Sequence, residues 1–221
     1  MSRVVVTGGA GFIGSNLVDK LLLNEHDITV IDDLSSGLKG NLDLSQVKLE
    51  IFSLENEKEL NRALSDAEVI FHLGARGSVP RSIKNPIATH SVNATGTLNV
   101  LNIARETGAH VIFSSSSSVY GRNLELPKDE LMWMSPLTPY AASKLAAEAY
   151  VQAYGATYQV PVTLLRFFNV FGPKQRPDHA YAAVIPKWIW LAMQDKPIEV
   201  FGDGTQSVSY THLTLPTKRI V

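Results

Sequence analysis

Cysteine is absent from all 221 residues, which excludes disulfides, thiolate nucleophiles and Cys-based zinc sites together. No apolar run approaches the ~18 residues a membrane span needs, and the N-terminus leads into a β-branched run and a glycine turn instead of a signal peptide. The expectation is a cytoplasmic protein with no membrane partner. An excess of one charge is lacking too: 20 Lys and Arg against 21 Asp and Glu leave a net −1, with no basic cluster before the last few residues. Nothing there offers an electrostatic footprint for nucleic acid. Histidines 26, 72, 90, 110, 179 and 212 are scattered without ligand spacing, so no metal is expected. What remains is 45% hydrophobic and 19% charged, enough apolar surface for a packed core and a composition that excludes disorder of the whole chain. The length allows one full domain and part of a second, and the charge balance points to a small-molecule partner.

Val4-Val5-Val6, ended by Gly8-Gly9, reads as a strand buried on both faces. Phe12, Ile13, Leu17, Val18, Leu21 and Leu22 then recur with helical spacing. Strands are expected at 27–32, 47–52, 69–73, 111–113 and 162–168, with helices at 57–64, from Asn93 to the stop at Gly108, and at 140–154 after the Thr138-Pro139 cap. This alternation predicts an α/β fold, a Rossmann-type doubly wound parallel sheet whose ligands sit at the carboxyl ends of the strands.

The first strand runs into Thr7-Gly8-Gly9-Ala10-Gly11-Phe12-Ile13-Gly14. Glycines there allow a tight turn and close approach to a pyrophosphate, which the following helix N-terminus would face. A plain tight turn explains the same glycines taken alone. Asp32 ends the second strand at about the 20-residue distance where a carboxylate accepts from both adenosine ribose hydroxyls and repels a 2′-phosphate, which favours NAD over NADP. A solvated strand-end aspartate is its competing reading. Tyr140 and Lys144 leave one helix face four residues apart, a pair that chance also supplies. Ser114 to Ser118 follow a core strand at the edge where a nicotinamide would lie, although a serine run is also a common solvated loop.

Together these residues resemble the extended short-chain dehydrogenase/reductase family, in particular the NAD-dependent nucleotide-sugar epimerases of the UDP-hexose 4-epimerase type. The resemblance runs from Ser2 to about Ser207 on TGGAGFIGSNL, VIDDLSSG, FHLGARGSVPRSI, SVNATGTLNVLNIAR, SSSSSVYG, PYAASK and LRFFNVFGPKQ. It implies that Gly8, Gly11, Phe12, Ile13 and Gly14 form the pyrophosphate turn, that Asp32 and Asp33 hold the ribose, and that Leu54, Leu73, Gly74, Ala75 and Asn93 line the cofactor. It makes Ser116, Tyr140 and Lys144 the catalytic set, with Tyr140 the base. Ser78, Ser116, Tyr140, Asn169, Ala183, Val184, Lys187 and Trp188 match positions used for the UDP-sugar, and the segment 181–188 looks most like epimerases of UDP-N-acetylhexosamines and their uronic acids. The resemblance also implies a homodimer for full-length members. Dehydratases of the family carry an acidic residue between the catalytic serine and Tyr120, where this chain has Ser117 and Ser118.

The implied chemistry is 4-epimerisation by transient oxidation at C4, in which a Tyr140 phenolate, its pKa lowered by Lys144 and a positive nicotinamide, takes the hydroxyl proton. Two departures stand out. Ser53 occupies the place of an aspartate near the adenine. After Gly202-Asp203-Gly204 the family continues with an Arg-Asp-aromatic stretch whose arginine grips the UDP phosphates, whereas this chain reads Ser207-Val208-Ser209-Tyr210. The expected organisation is an NAD domain at 1–168, an incomplete C-terminal substrate lobe at 169–207, and a tail at 208–221 without strand or helix periodicity that looks foreign to the fold. Weak or absent UDP-sugar binding, and with it negligible epimerase activity, is the expected result. The competing functions are another sugar-nucleotide oxidoreductase of the same family, showing net NADH turnover, and an inactive NAD-binding fragment.

Overall fold

The computed structural model describes residues 2–177, 183–200, 202–203 and 210–213. The chain divides into two compact units, Met1–Phe167 and Phe168–Val221. In the first, strands β1 (Arg3–Thr7), β2 (Asp27–Ile31), β3 (Lys48–Glu50), β4 (Val69–His72), β5 (His110–Ser116) and β6 (Val162–Phe167) form one parallel sheet in the order β3-β2-β1-β4-β5-β6. The chain winds outward from β1 to β3, then returns to lay β4 against the other side of β1. This reversal opens a crevice at the carboxyl ends of β1 and β4, where sheets of this type bind ligands.

The valine run explains why β1 is central. Val4 and Val6 face a core with Val18, Ile28 and Val30, while Val5 faces a second core with Leu60, Ile70, Val100, Leu101 and Val111. Helix α1 (Phe12–Leu22) covers the first face. Helices α2 (Glu57–Leu64), α5 (Gly96–Thr107) and α6 (Pro139–Tyr158) cover the second, supplying Leu64, Ala104, Ala147 and Val151. Side-chain burial on both faces is what turns β1 into a continuous apolar run instead of an alternating one.

The segment before α5 differs from the single helix expected from Asn93. It contains α3 (Val79–Lys84) and α4 (Pro86–His90), each started by a side-chain cap and a proline, and then a π-helical turn over Ser91–Thr95. Ser78 caps α3 by accepting from the Arg81 amide, and Asn85 caps α4 by accepting from Ala88. Helices of six and five residues are too short to show an apolar period, which is why only their caps are legible.

In the second unit, β7 (Asn169–Phe171) pairs in parallel with β8 (Tyr210–His212), and α7 spans Val184–Ala192. Strand β8 puts regular structure at Tyr210–His212, where the sequence shows no strand periodicity. Phe171 meets His212 edge-on at 4.8 Å, and the Leu213 amide donates to the Phe171 carbonyl. A three-residue strand carries too little alternation to be read from its sequence. Residues 208–209 and 214–221 lie outside the described residues.

Candidate active site

The site is built first from backbone. Gly8 has φ +69°, and a Cβ there would stand 2.8 Å from the Gly74 backbone, so the turns after β1 and β4 touch. A Cβ on Gly14 would overlap the Gly8 carbonyl oxygen, which presses the first turn of α1 directly onto the glycine turn. Gly11 is the N-cap of α1 and offers no side-chain cap, and the first turn holds no acidic residue. Its amides and the positive end of the helix therefore present themselves to an anion. Phe12 and Ile13 open that helix.

Asp32 lies just past β2, 8% exposed. Its Oδ2 accepts from the Ala10 amide at 3.0 Å and its Oδ1 from the Leu34 amide at 2.9 Å. Burial raises its pKa, opposed by the two backbone N–H bonds. Each oxygen keeps further lone-pair capacity for a ligand hydroxyl. Asp33 is exposed and turns to its own loop, accepting from both the amide and hydroxyl of Ser35. Leu54 is buried, its carbonyl accepting from Asn99 and its side chain lying against Gly74 and Gly96. Ser53 donates to the Glu55 carboxylate at 3.0 Å.

The chemical groups meet where α6 crosses the end of β5. Thr138 caps α6 by accepting from Ala141. Tyr140, Lys144 and Glu148 then leave one face at four-residue intervals. Lys144 Nζ donates to the Ser114 carbonyl at 2.7 Å and lies 4.9 Å over the Phe113 ring, and burial lowers its pKa to about 8. The Tyr140 hydroxyl is hydrogen-bonded to Ser116. Ser116 Oγ accepts from the Ser118 amide at 3.2 Å, which leaves its own proton free to donate to the phenol oxygen. The protein's own groups act on the Tyr140 pKa in opposite directions. Burial pushes it up and the Ser116 bond opposes this in part, while one N–H of the Lys144 ammonium goes to the Ser114 carbonyl.

Asn93 sits in the π turn, 1% exposed. Its Oδ1 accepts from the Arg76 amide at 2.7 Å, and its Nδ2 donates to Ser143 Oγ at 2.9 Å, beside Lys144. Leu73, Gly74 and Ala75 follow β4 at the crevice, with the Gly74 amide donating to Thr7 Oγ1.

Sequence reasoning missed the next layer. Glu148, 1% exposed, accepts from Ser115 Oγ at 2.6 Å and pairs with Arg166 of β6 at 2.6 Å. Arg166 also donates to Tyr120 Oη, which donates in turn to the Asp129 carbonyl. An acid one turn beyond Lys144, on a helix face otherwise occupied by Ala147 and Val151, was the available signal. Of the expected sugar-binding residues, Ser78 is the α3 cap of the first unit. Asn169 starts β7, Ala183 is the N-cap of α7, and Val184, Lys187 and Trp188 lie on α7, all in the second unit. Residues 181 and 182 lie outside the described residues.

A doubly wound parallel sheet with an open glycine turn after β1 and a buried carboxylate at the end of β2 is the class of fold that binds dinucleotides. The chain belongs to the NAD dependent epimerase/dehydratase family, whose model matches residues 4–214. It is 37% identical over 219 residues to a UDP-glucose 4-epimerase of Mycolicibacterium smegmatis, covering 94% of this chain and 68% of that one. Among solved structures, a UDP-N-acetylglucosamine 4-epimerase from Methanobrevibacter ruminantium, in complex with UDP-N-acetylmuramic acid, superposes with TM-score 0.91 at 38% identity, over 96% of this chain and 69% of that one. A dTDP-glucose 4,6-dehydratase from Streptomyces venezuelae with NAD bound superposes with TM-score 0.86 at 30% identity, over 96% and 68%. The family match reaches past the position where the sequence resemblance was expected to stop.

Proposed function

We propose that the crevice between β1 and β4 holds NAD and that the chain epimerises a UDP-sugar at C4 by transient oxidation. The residues fit this cofactor. Gly8, Gly11, Phe12, Ile13 and Gly14 leave the uncapped α1 terminus open to a pyrophosphate, and Asp32 offers two acceptor oxygens to a ribose, with Asp33 beside it. Leu54, Leu73, Gly74, Ala75 and Asn93 line the remainder. When bound, NAD supplies a hydride acceptor and a positive charge beside the phenol.

The proton is the protein's task. Tyr140 accepts it from the C4 hydroxyl, Ser116 donates to the same oxygen, and Lys144, charged below about pH 8, favours the phenolate. Because burial raises the Tyr140 pKa, this reading relies on the Lys144 charge and the bound cofactor's charge to favour the phenolate. The positions that the family resemblance assigns to the nucleotide-sugar are Ser78 in the first unit and Asn169, Ala183, Val184, Lys187 and Trp188 in the second, in a reading where 1–168 is the NAD domain and 169–207 belongs to the substrate lobe.

The observation that carries the choice of reaction lies between Ser116 and Tyr120. A 3₁₀ turn there presents Ser117 and Ser118, hydroxyls and no carboxylate. The second reading, 4,6-dehydration, has a structural neighbour behind it but requires an acid at that place to eliminate water. Incubating the NAD-loaded chain with UDP-N-acetylglucosamine tests both. The galacto epimer is the expected product, and Tyr140→Phe is expected to cut turnover by at least about 100-fold while NAD stays bound. A 4-keto-6-deoxy product, or turnover undiminished in Tyr140→Phe, would overturn the reading.

A further inference from the structure

His72 ends β4 with its ring 1% exposed and both nitrogens engaged, Nδ1 at 2.7 Å from Thr7 Oγ1 and Nε2 at 2.9 Å from Thr97 Oγ1. The other bonds of the two threonines decide which nitrogen carries hydrogen. Thr97 Oγ1 gives its single proton to the Asn93 carbonyl at 2.6 Å, so toward His72 it can only accept, and Nε2 is the N–H. Nδ1 then holds a lone pair and accepts from Thr7, whose oxygen accepts in turn from the Gly74 amide at 3.0 Å. The chain of bonds has one direction, from Gly74 N–H through Thr7, His72 and Thr97 to the Asn93 carbonyl. A second proton on the ring would set two donors on Thr7 Oγ1 and leave that hydroxyl hydrogen without an acceptor among the described residues. The charge that faces the ring acts the same way. Lys144 lies over Phe113, whose ring is 5.6 Å from that of His72, and burial first, then the Lys144 charge, pushes His72 down to about 3.

Both ends of this chain belong to the crevice. Gly74 abuts Gly8 of the glycine turn, and Asn93 holds the Arg76 amide and the Ser143 hydroxyl next to Lys144. We infer that His72 is a positioning residue: fixed as the neutral Nε2–H imidazole, it sets the spacing between the phosphate-side glycine turn and the π turn beside the Tyr140 and Lys144 helix. The inference rests on the reading of the crevice as an NAD site. No other side chain of this volume offers one acceptor and one donor at opposite edges of a rigid ring, so a phenylalanine would fill the space and break the chain of bonds.

Two measurements test it. Nitrogen-15 NMR of the intact chain should show His72 as the Nε2–H form, unchanged between pH 5 and pH 8, whereas an Nδ1–H ring or an imidazolium overturns the inference whether or not NAD binds. Thr97→Val removes the acceptor of Nε2–H and the donor to Asn93, and is expected to raise the NAD dissociation constant about tenfold, while Thr97→Ser restores it to within about twofold. A purely structural role would lower the melting temperature of Thr97→Val and leave its NAD affinity intact, and that result contradicts the inference. If the unaltered chain itself fails to take up NAD, the cofactor reading falls instead, and the NMR result still decides the form of His72.

Discussion

At the scale of single residues, Asp32 and Lys144 each do two jobs that pull against each other. Asp32 anchors the Ala10 and Leu34 amides and, in the proposed reading, offers its remaining lone pairs to a ribose. Asp32→Ala is therefore expected to weaken NAD binding by about ten- to a hundredfold, the worth of hydrogen bonds to a charged group, and to narrow the preference over NADP. Calorimetric titration with both dinucleotides checks this; tighter binding of NADP than NAD by the unaltered chain would contradict it. Lys144 is held in a dry site that lowers its pKa from 10.5 to about 8. Between those values the unfolded chain binds the proton and the folded chain does not, so stability from this group rises with pH across that window, and the full burial penalty stands below pH 8. At about 1.4 kcal/mol per pH unit the penalty is about 3 kcal/mol. Lys144→Met should thus raise the urea midpoint at pH 7, with the gain shrinking from pH 8 to pH 10, while epimerisation is lost. A gain that does not vary with pH would show that the lysine is not buried in charged form. Both residues were legible in the sequence because motif spacing marks them. The burial that raises the Tyr140 pKa was not, since it depends on tertiary packing around the phenol.

At the scale of elements, α6 is a ruler laid along β5. Tyr140, Lys144 and Glu148 reach Ser116, the Ser114 carbonyl and Ser115 Oγ in turn, and the Arg166 pair pins the far end. Breaking a buried pair leaves an unpaired charge, which costs about 3 to 5 kcal/mol. Glu148→Ala is expected to lose stability on that scale, whereas Glu148→Met combined with Arg166→Met should recover most of it. Denaturant unfolding of the three proteins measures this, and a double variant as unstable as Glu148→Ala would refute the account. The sequence marked α6 by its cap, yet the Glu148–Arg166 pair joins residues 18 apart on different elements, and nothing local announces it. The π turn was missed for a related reason. It carries Asn93, which reaches both Arg76 and Ser143, tertiary contacts that helical periodicity does not encode.

At the scale of the whole molecule, the alternation of buried runs and helices dictates a parallel sheet with helices on its faces, although not the order of its strands. The fold class is therefore legible in the sequence, as is the place of the crevice at the strand ends. The pairing of β8 with β7 is not, because each strand has only three residues. The stretch Ser207-Val208-Ser209-Tyr210 brings no arginine to a diphosphate, so UDP-sugar is expected to bind about ten- to a hundredfold more weakly than with one. The decisive measurement is made accordingly at high substrate concentration: the NAD-loaded chain is given UDP-N-acetylglucosamine deuterated at C4, and the product is followed by NMR and its NADH content by absorbance. Oxidation and return of the same hydride at one site should give the galacto epimer with deuterium retained at C4 and no accumulating NADH. Deuterium lost to solvent, NADH formed in step with product, or no epimer at all would contradict the account.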